Sequence, residues 1–160
     1  MKRPKAETTA VLDGLRRVVK VLRENSRAAE QALGISGAQL FVLEALSDAQ
    51  GLSLSEVAAR TRTHQSSVSV VVSRLVSAGL VRRVRARDDA RRLVLRLTAR
   101  GRALRAKEPH AAQHRLIDAV ERLPAGQRRA LAEGLGRISD LMDLPREAPA
   151  MFFEEAGRRG

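Results

Sequence analysis

The stretch QSSVSVVVSRLVS, residues 65–77, most constrains the fold, because its composition and its periodicity point to different structures. Valine is β-branched and favours strands, so residue preference alone predicts extended chain here. Strict alternation of apolar and polar residues fails at 70–72, however, and the apolar residues instead recur at helical spacing. We therefore predict a helix over 65–78 that ends at Gly79, with a strand as the alternative. The residues of its apolar face are Val68, Val71, Val72, Leu75 and Val76.

The opposite face of this predicted helix is rich in hydroxyl groups, whereas a solvated helix face normally carries Glu, Lys and Gln. Short side chains let the helix backbone approach another surface, and hydroxyls exchange hydrogen bonds with phosphates and base edges. The pattern therefore favours a helix that reads nucleic acid, and a helix packed on all sides is the alternative. We assign to this face Ser66, Ser67, Ser69, Val70, Ser73, Arg74 and Ser77.

An arginine-rich segment after Gly79 has the period of a β-hairpin. Leucines at 93, 95 and 97 alternate with Arg92, Val94 and Arg96, and residues 87–91 form the predicted tip. Asp89 lies two residues before Arg91, close enough for its carboxylate to pair with that guanidinium and aim it at a partner. An exposed pair of this kind contributes at most about 1 kcal/mol to stability, so its value would lie in orientation.

The basic charge of the chain is concentrated around these two segments. The chain has 30 Lys and Arg against 18 Asp and Glu, a net charge of +12. Residues 54–100 contain eleven arginines, no lysine and three acids, a balance of +8, which favours a polyanion partner over general compositional bias. This segment contains no aromatic residue on which unpaired bases could stack, so duplex DNA fits better than single strands.

Amphipathic helices are predicted on both sides of the basic region. Residues 8–32 repeat apolar positions at helical spacing, and capping-box patterns at Ser36 and Ser53 open two further helices. Thr98 is placed to cap a helix over 99–122, which Pro109 is expected to kink or break near 105–109. One small domain cannot bury all of these apolar stripes, whereas a two-fold partner can, so the sequence predicts a homodimer.

Composition narrows the remaining classes of protein. The chain has no Cys, which excludes disulfides and thiol sensing, and no apolar run near the roughly 18 residues of a membrane span, so we expect a cytoplasmic protein without membrane contact. No catalytic dyad stands out, and we predict neither an enzyme nor a cofactor. His110 and His114 share one helix face and offer a possible metal pair, but two ligands are too few for a structural zinc site. An ordinary surface or interface histidine pair is therefore the favoured interpretation.

Taken in order, these elements resemble the MarR family of bacterial transcriptional regulators. The resemblance is carried by SLSEVAARTRTHQSSVSVVVSRLVSAGLVRR, by Asp89-x-Arg91 and by LVLRLTARG, and it extends over residues 8–144. It implies a mainly α fold with a small β-hairpin wing, a winged helix-turn-helix flanked by dimerisation helices. The implied units are a first dimerisation helix in 1–35, the DNA-binding domain in 36–100, further dimerisation helices in 101–144 and a tail in 145–160.

The same resemblance implies a function in transcription. A homodimer would place two recognition helices in successive major grooves, and so bind a pseudo-palindromic site in double-stranded DNA with half-sites about 10 bp apart. Proteins of this kind are most often repressors and are often relieved by small phenolic or aromatic acids, although the sequence identifies no effector-binding residue. An effector-independent architectural or RNA-binding protein is the alternative. The implied DNA contacts are Gln65, Ser66, Ser67, Ser69, Arg74, Arg87 and Arg91, with Asp89 supporting the wing.

Two further positions stay open at this level. The family often has Asp-Arg-Arg at the wing, and here Ala90 replaces the first Arg, which leaves contacts by that neighbour in doubt. The tail is polar except for Met151-Phe152-Phe153. This short apolar group either packs on the dimer, fills a pocket or belongs to a disordered terminus.

Overall fold

The computed structural model describes residues 6–47, 50–107 and 111–154. These ranges contain seven helices and one two-stranded antiparallel sheet. The predicted mainly α fold with a hairpin wing is confirmed. None of the helices within those ranges is both long and apolar enough to cross a bilayer. In chain order the elements are α1 (Ala6–Leu33), α2 (Gly37–Ala45), α3 (Leu54–Thr61), α4 (Gln65–Ser77), β1 (Val81–Arg85), β2 (Leu93–Leu97), α5 (Ala99–Arg105), α6 (Ala112–Glu121) and α7 (Ala125–Leu141).

The valine-rich stretch forms helix α4, because packing outweighs strand preference. Val68, Val71, Val72 and Leu75 are each at most 1% exposed and lie in the hydrophobic core with α2 and α3. Burying one such side chain stabilises the fold by about 1.5–3 kcal/mol. The helix-propensity penalty of a valine is below about 0.7 kcal/mol, so the apolar face decides the structure.

Helix α4 ends at the predicted glycine in a Schellman motif. Gly79 has a φ of 69°, the left-handed conformation that glycine adopts without steric cost. Its N–H donates to the Val76 carbonyl at 3.0 Å, and the Leu80 N–H donates to the Leu75 carbonyl at 2.9 Å. The turn therefore sends the chain directly from the recognition helix into the first strand of the wing.

Both predicted capping boxes are present and fix where α2 and α3 begin. The Ser36 backbone N–H donates to Gln39 Oε1 at 2.9 Å, and the Ser53 N–H donates to Glu56 Oε2 at 2.6 Å. The hydrogen bond from the Ser53 backbone, followed by that from its hydroxyl, lowers the pKa of the exposed Glu56 carboxyl. Thr98 accepts from the Gly101 N–H at 3.0 Å and caps α5, as its position predicts.

The wing is an antiparallel hairpin that a third segment joins at its base. Its register pairs Arg82 with Arg96 and Val84 with Val94. Leu52, just before α3, exchanges two backbone hydrogen bonds with Leu95. One edge of the hairpin is therefore joined to the unit of α2, α3 and α4, which we call the reading head. The winged helix-turn-helix is therefore one packed unit built from α2, α3, α4, β1 and β2.

The helix predicted over 99–122 is interrupted, as expected. Helix α5 ends at Arg105 and α6 begins at Ala112, while Pro109, the predicted cause of the break, lies outside the described residues. Buried Glu44 of α2 fixes the start of α6: it accepts from the Ala111 N–H at 2.9 Å and contacts His114 Nδ1 at 2.6 Å. Helix α6 is thereby attached to the reading head.

Two helices leave apolar stripes uncovered in the single chain. No residue of α7 is buried, and most of the large apolar side chains of the first half of α1 are exposed. Exposing two continuous apolar helical faces to water is unfavourable, and in soluble proteins such faces mark surfaces that contact a partner. The exposed apolar residues are Val11, Leu12, Leu15, Val18, Val19 and Val21 near α1, and Leu131, Leu135, Ile138, Leu141 and Met142 near α7.

Candidate nucleic-acid interface

The outward face of α4 presents hydroxyls around one apolar side chain. Ser66, Ser73 and Ser77 are exposed, and Val70 lies among them with 45% of its side chain open to solvent. Two other predicted contact residues, Ser69 and Arg74, are half-buried at the margins of this face, and Gln65 is exposed at the first residue of the helix. The short side chains leave the backbone of α4 open to close approach.

Ser67 does not lie on this exposed face, contrary to the prediction that it faces outward together with Ser66 and Ser69. It is only 6% exposed, and its hydroxyl donates to the Pro149 carbonyl at 2.7 Å. Ser67 precedes the buried Val71 by four residues, so the two side chains lie on the same side of the helix. The tail then covers that side.

The tip of the wing carries the predicted arginines on an exposed turn. Arg87 and Arg91 are both exposed, but the carboxylate of Asp89 accepts from the backbone N–H of Arg91 at 2.9 Å. The predicted pairing of Asp89 with the Arg91 guanidinium is therefore wrong. A short Asp side chain reaches a backbone donor two residues ahead more readily than a mobile guanidinium. Asp89 supports the wing by closing its turn.

Arg92 joins the wing to α3 through charged contacts, and no sequence pattern indicated this role. Its guanidinium lies 3.2 Å from Asp88 Oδ2 in the wing and 3.4 Å from Glu56 Oε2 on α3. A hydrogen bond from its own backbone N–H, followed by one from Arg92, lowers the pKa of Asp88. Glu56 thus closes the capping box of α3 and also anchors the wing. Spacing along a sequence cannot reveal a contact between residues 36 positions apart.

Of the two histidines considered as a metal pair, the structure describes only His114. His114 contacts buried Glu44 and lies edge-on to Phe41, with ring centroids 4.7 Å apart. His110 lies outside the described residues. No group of three metal-ligating side chains occurs within 6–47, 50–107 and 111–154.

A cavity of about 270 Å³ lies beside the N-terminus of α4, between the reading head and α6. Its walls are largely apolar, with one arginine and one histidine at the turn before α4. Residues 149–152 of the tail form one side of the cavity, so the cavity depends on a segment to which the sequence assigned no single role. Its lining includes Phe41, Arg62, His64, Gln113, Ile117 and Met151.

Comparison with known proteins agrees with this architecture. A MarR family profile matches residues 33–92. The transcriptional repressor Rv2887 of Mycobacterium tuberculosis H37Rv is 36% identical over 126 residues, which cover 78% of this chain and 89% of that protein.

Solved structures show the same fold. A MarR/EmrR family regulator from Acinetobacter sp. ADP1 has a TM-score of 0.58 at 19% identity, over 88% of this chain and 99% of that one. BpsR of Bordetella bronchiseptica has a TM-score of 0.55 at 24% identity, over 88% and 97%. From its sequence and its architecture, this chain belongs to the MarR family of transcriptional regulators.

Proposed function

We propose that the protein is a homodimeric repressor that binds a pseudo-palindromic site in double-stranded DNA. The observation that carries the proposal is the exposed serine face of α4 beside an arginine-bearing wing, in a chain whose α1 and α7 leave apolar stripes for a second copy. Helix α4 has 13 residues and is about 20 Å long, and the diameter of an α-helix with its side chains, about 10–12 Å, suits a major groove about 12 Å wide. Such a regulator acts on chromosomal DNA in the cytoplasm.

Two chemically different contacts follow from this arrangement. The α4 face, with Ser66, Val70 and Ser73, would meet base edges and nearby phosphates, while Arg87 and Arg91 on the wing would reach the adjacent minor groove. Pairing of two copies through α1 and α7 would set the two recognition helices about one DNA turn apart. One protomer supplies half of the site, so dimerisation and affinity are linked.

The decisive experiment compares the DNA upstream of the gene with random duplex of the same length. Fluorescence anisotropy at several salt concentrations should show tight binding to the upstream duplex, at least about 1,000-fold tighter than to random duplex. Equal affinity for both duplexes, with a steep salt dependence, would favour the architectural alternative. Preference for duplex RNA would favour the RNA-binding alternative.

Arg91→Ala is expected to weaken operator binding by about five- to twentyfold, and to leave the dimer intact. Losing one cationic contact to DNA should also reduce the slope of log affinity against log salt by about one. Arg137→Ala, on exposed α7, makes the same change of charge far from the reading head and serves as the control. Unchanged affinity and salt slope in Arg91→Ala would remove the wing tip from the interface.

Because Val70 exposes an apolar side chain on the α4 face, we expect a thymine in each half-site. The only apolar group that a base pair presents in the major groove is the thymine methyl, and Val70 is the apolar side chain at the centre of the exposed α4 face. Replacing that thymine by deoxyuridine removes the methyl alone and should weaken binding about fourfold per half-site. Val70→Ala should be insensitive to the same replacement, which a double-mutant cycle measures. Equal sensitivity of both proteins would show that the methyl is read elsewhere.

We also propose that a small aromatic acid relieves repression by binding in the cavity beside α4. The support is its apolar wall, which includes Phe41 and Ile117, together with Arg62 and His64 at one side. The relative Rv2887 has been solved in complex with p-aminosalicylic acid, and 6-hydroxynicotinic acid regulates DNA binding by BpsR. Titrating p-aminosalicylate into the protein–operator complex tests the class: release of DNA supports it, and release that survives Ile117→Trp would place the ligand elsewhere.

A further inference from the structure

The residues that follow α7 return to the reading head and occupy a cleft between it and α6. We propose that this cleft is a binding site for a short extended peptide, and that its resident occupant is the chain's own segment 149–152. The site would connect the recognition helix to the helices assigned to the dimer. This peptide site stands on intramolecular contacts alone, and only its consequence for transcription rests on the proposed function.

The segment is recognised through both its side chains and its backbone. Met151 is 4% exposed and belongs to the same hydrophobic core as Phe41 and Val68, whereas its neighbour Phe152 is 53% exposed. The chain turns directly after Met151, because the Glu154 N–H donates to the Met151 carbonyl at 3.1 Å, so the extended part of the segment ends at Met151. One apolar side chain thus anchors the segment.

Two polar side chains from different parts of the fold bind carbonyls of the segment. Ser67 Oγ of α4 donates to the Pro149 carbonyl at 2.7 Å, and Gln113 Nε2 of α6 donates to the Phe152 carbonyl at 3.2 Å. Gln113 and Ser67 are themselves buried, so each needs a partner there. The segment therefore accepts a hydrogen bond from one buried side chain on α4 and from one on α6.

The connection from α7 to the segment contributes little to holding it. Residues 142–150 are all exposed, and the ion pair between Arg146 and Asp140, at 3.1 Å, lies on the surface. Exposed ion pairs add at most about 1 kcal/mol. The segment is thus held by the cleft contacts, and it belongs to no helix or strand.

Departure of segment 149–152 from the cleft would have a defined structural result. Ser67, which flanks the exposed face of α4, would become accessible, and α4 would lose the peptide bridge to α6. The exposed pair of Arg62 with Glu121, at 2.8 Å, would still join the turn before α4 to α6. A cavity of about 270 Å³ borders the docked segment, so a small molecule bound there would contact Pro149 and Met151 directly. Peptide docking and effector binding are therefore expected to influence each other.

A labelled peptide with the sequence of residues 147–154, EAPAMFFE, tests the site on the full-length protein. Met151→Asp should expel the chain's own segment, so that this variant binds the peptide at least about tenfold more tightly than the wild type, whose site is filled. Ala148→Asp is the matched control, because it adds the same charge at an exposed residue outside segment 149–152 and should bind as weakly as the wild type. A peptide with Asp in place of Met should not bind any of the three proteins.

Amide hydrogen exchange on the wild type and on Ser67→Ala gives a second measurement that does not depend on how Met151→Asp folds. We expect the amide of Glu154, whose N–H donates to the Met151 carbonyl at 3.1 Å, to be protected in the wild type and to exchange at least about fivefold faster in Ser67→Ala. A wild-type Glu154 amide that exchanges as fast as in an unstructured peptide, or equal peptide binding by a folded Met151→Asp variant and the wild type, would overturn the proposal. Neither experiment uses DNA, so failure of the operator model would leave these results standing.

Discussion

Ser73→Glu is expected to abolish specific DNA binding, with a loss of at least about 100-fold, or close to 3 kcal/mol. Ser73 is exposed in the middle of the α4 face, and its hydroxyl donates only within the helix, to the Ser69 carbonyl at 2.9 Å. A carboxylate there would approach DNA phosphates, and like charges about 4 Å apart near a protein surface repel by about 4 kcal/mol. Operator affinity measured by anisotropy, with circular dichroism to confirm the fold, gives the result.

The control for Ser73→Glu is Ala125→Glu, which makes the same change of net charge at the exposed first residue of α7, away from the face of Leu131 and Leu135. Glutamate is a good helix former and is favoured near a helix N-terminus, so the control should fold and bind DNA normally. The serine variant should also keep its thermal stability, because no buried contact is lost. Wild-type affinity in a folded Ser73→Glu protein would mean that α4 does not face DNA.

Local patterns predicted the elements of the reading head because their causes lie within a few residues of each other. The spacing of Val68, Val71 and Leu75 determines the helix, and Gly79 ends it through a conformation that needs no distant partner. The capping boxes at Ser36 and Ser53 are equally local, since each joins residues three apart. Periodicity and caps therefore sufficed for the order of these elements and for where each of these helices begins.

The errors concern side chains whose environment is set from far away or by the backbone. Ser67 lies at the edge of the apolar face, and a helical wheel cannot show that Pro149, 82 residues later, covers it. Asp89 lies in the predicted turn of the wing, but its carboxylate accepts from the nearby Arg91 N–H and does not pair with the Arg91 guanidinium. The buried contact of Glu44 with His114 joins residues 70 apart and had no sequence signal. Tertiary packing decides such cases.

The uncovered stripes of α1 and α7 lead to the second large effect, which concerns the dimer. Leu135 lies on the α7 stripe with 43% of its side chain exposed in the single chain, so it contributes little to the core of one protomer. In a two-fold assembly the same side chain would be buried twice, once from each copy. Leu135→Glu would place two unpaired carboxylates in that interface, and burying an unpaired charge costs several kcal/mol.

We therefore expect Leu135→Glu to sediment as a folded monomer at micromolar concentration and to lose at least about 100-fold in operator affinity. Both effects have one cause, because a monomer presents a single α4 and a single wing to a site with two halves. Arg129→Ala makes the same change of net charge on the opposite side of α7 and should remain a dimer with wild-type affinity. A dimeric Leu135→Glu protein would show that the α7 stripe is covered by something other than a second copy. A monomer that keeps full affinity would instead separate DNA binding from dimerisation, and the pseudo-palindromic site would then lose its physical basis.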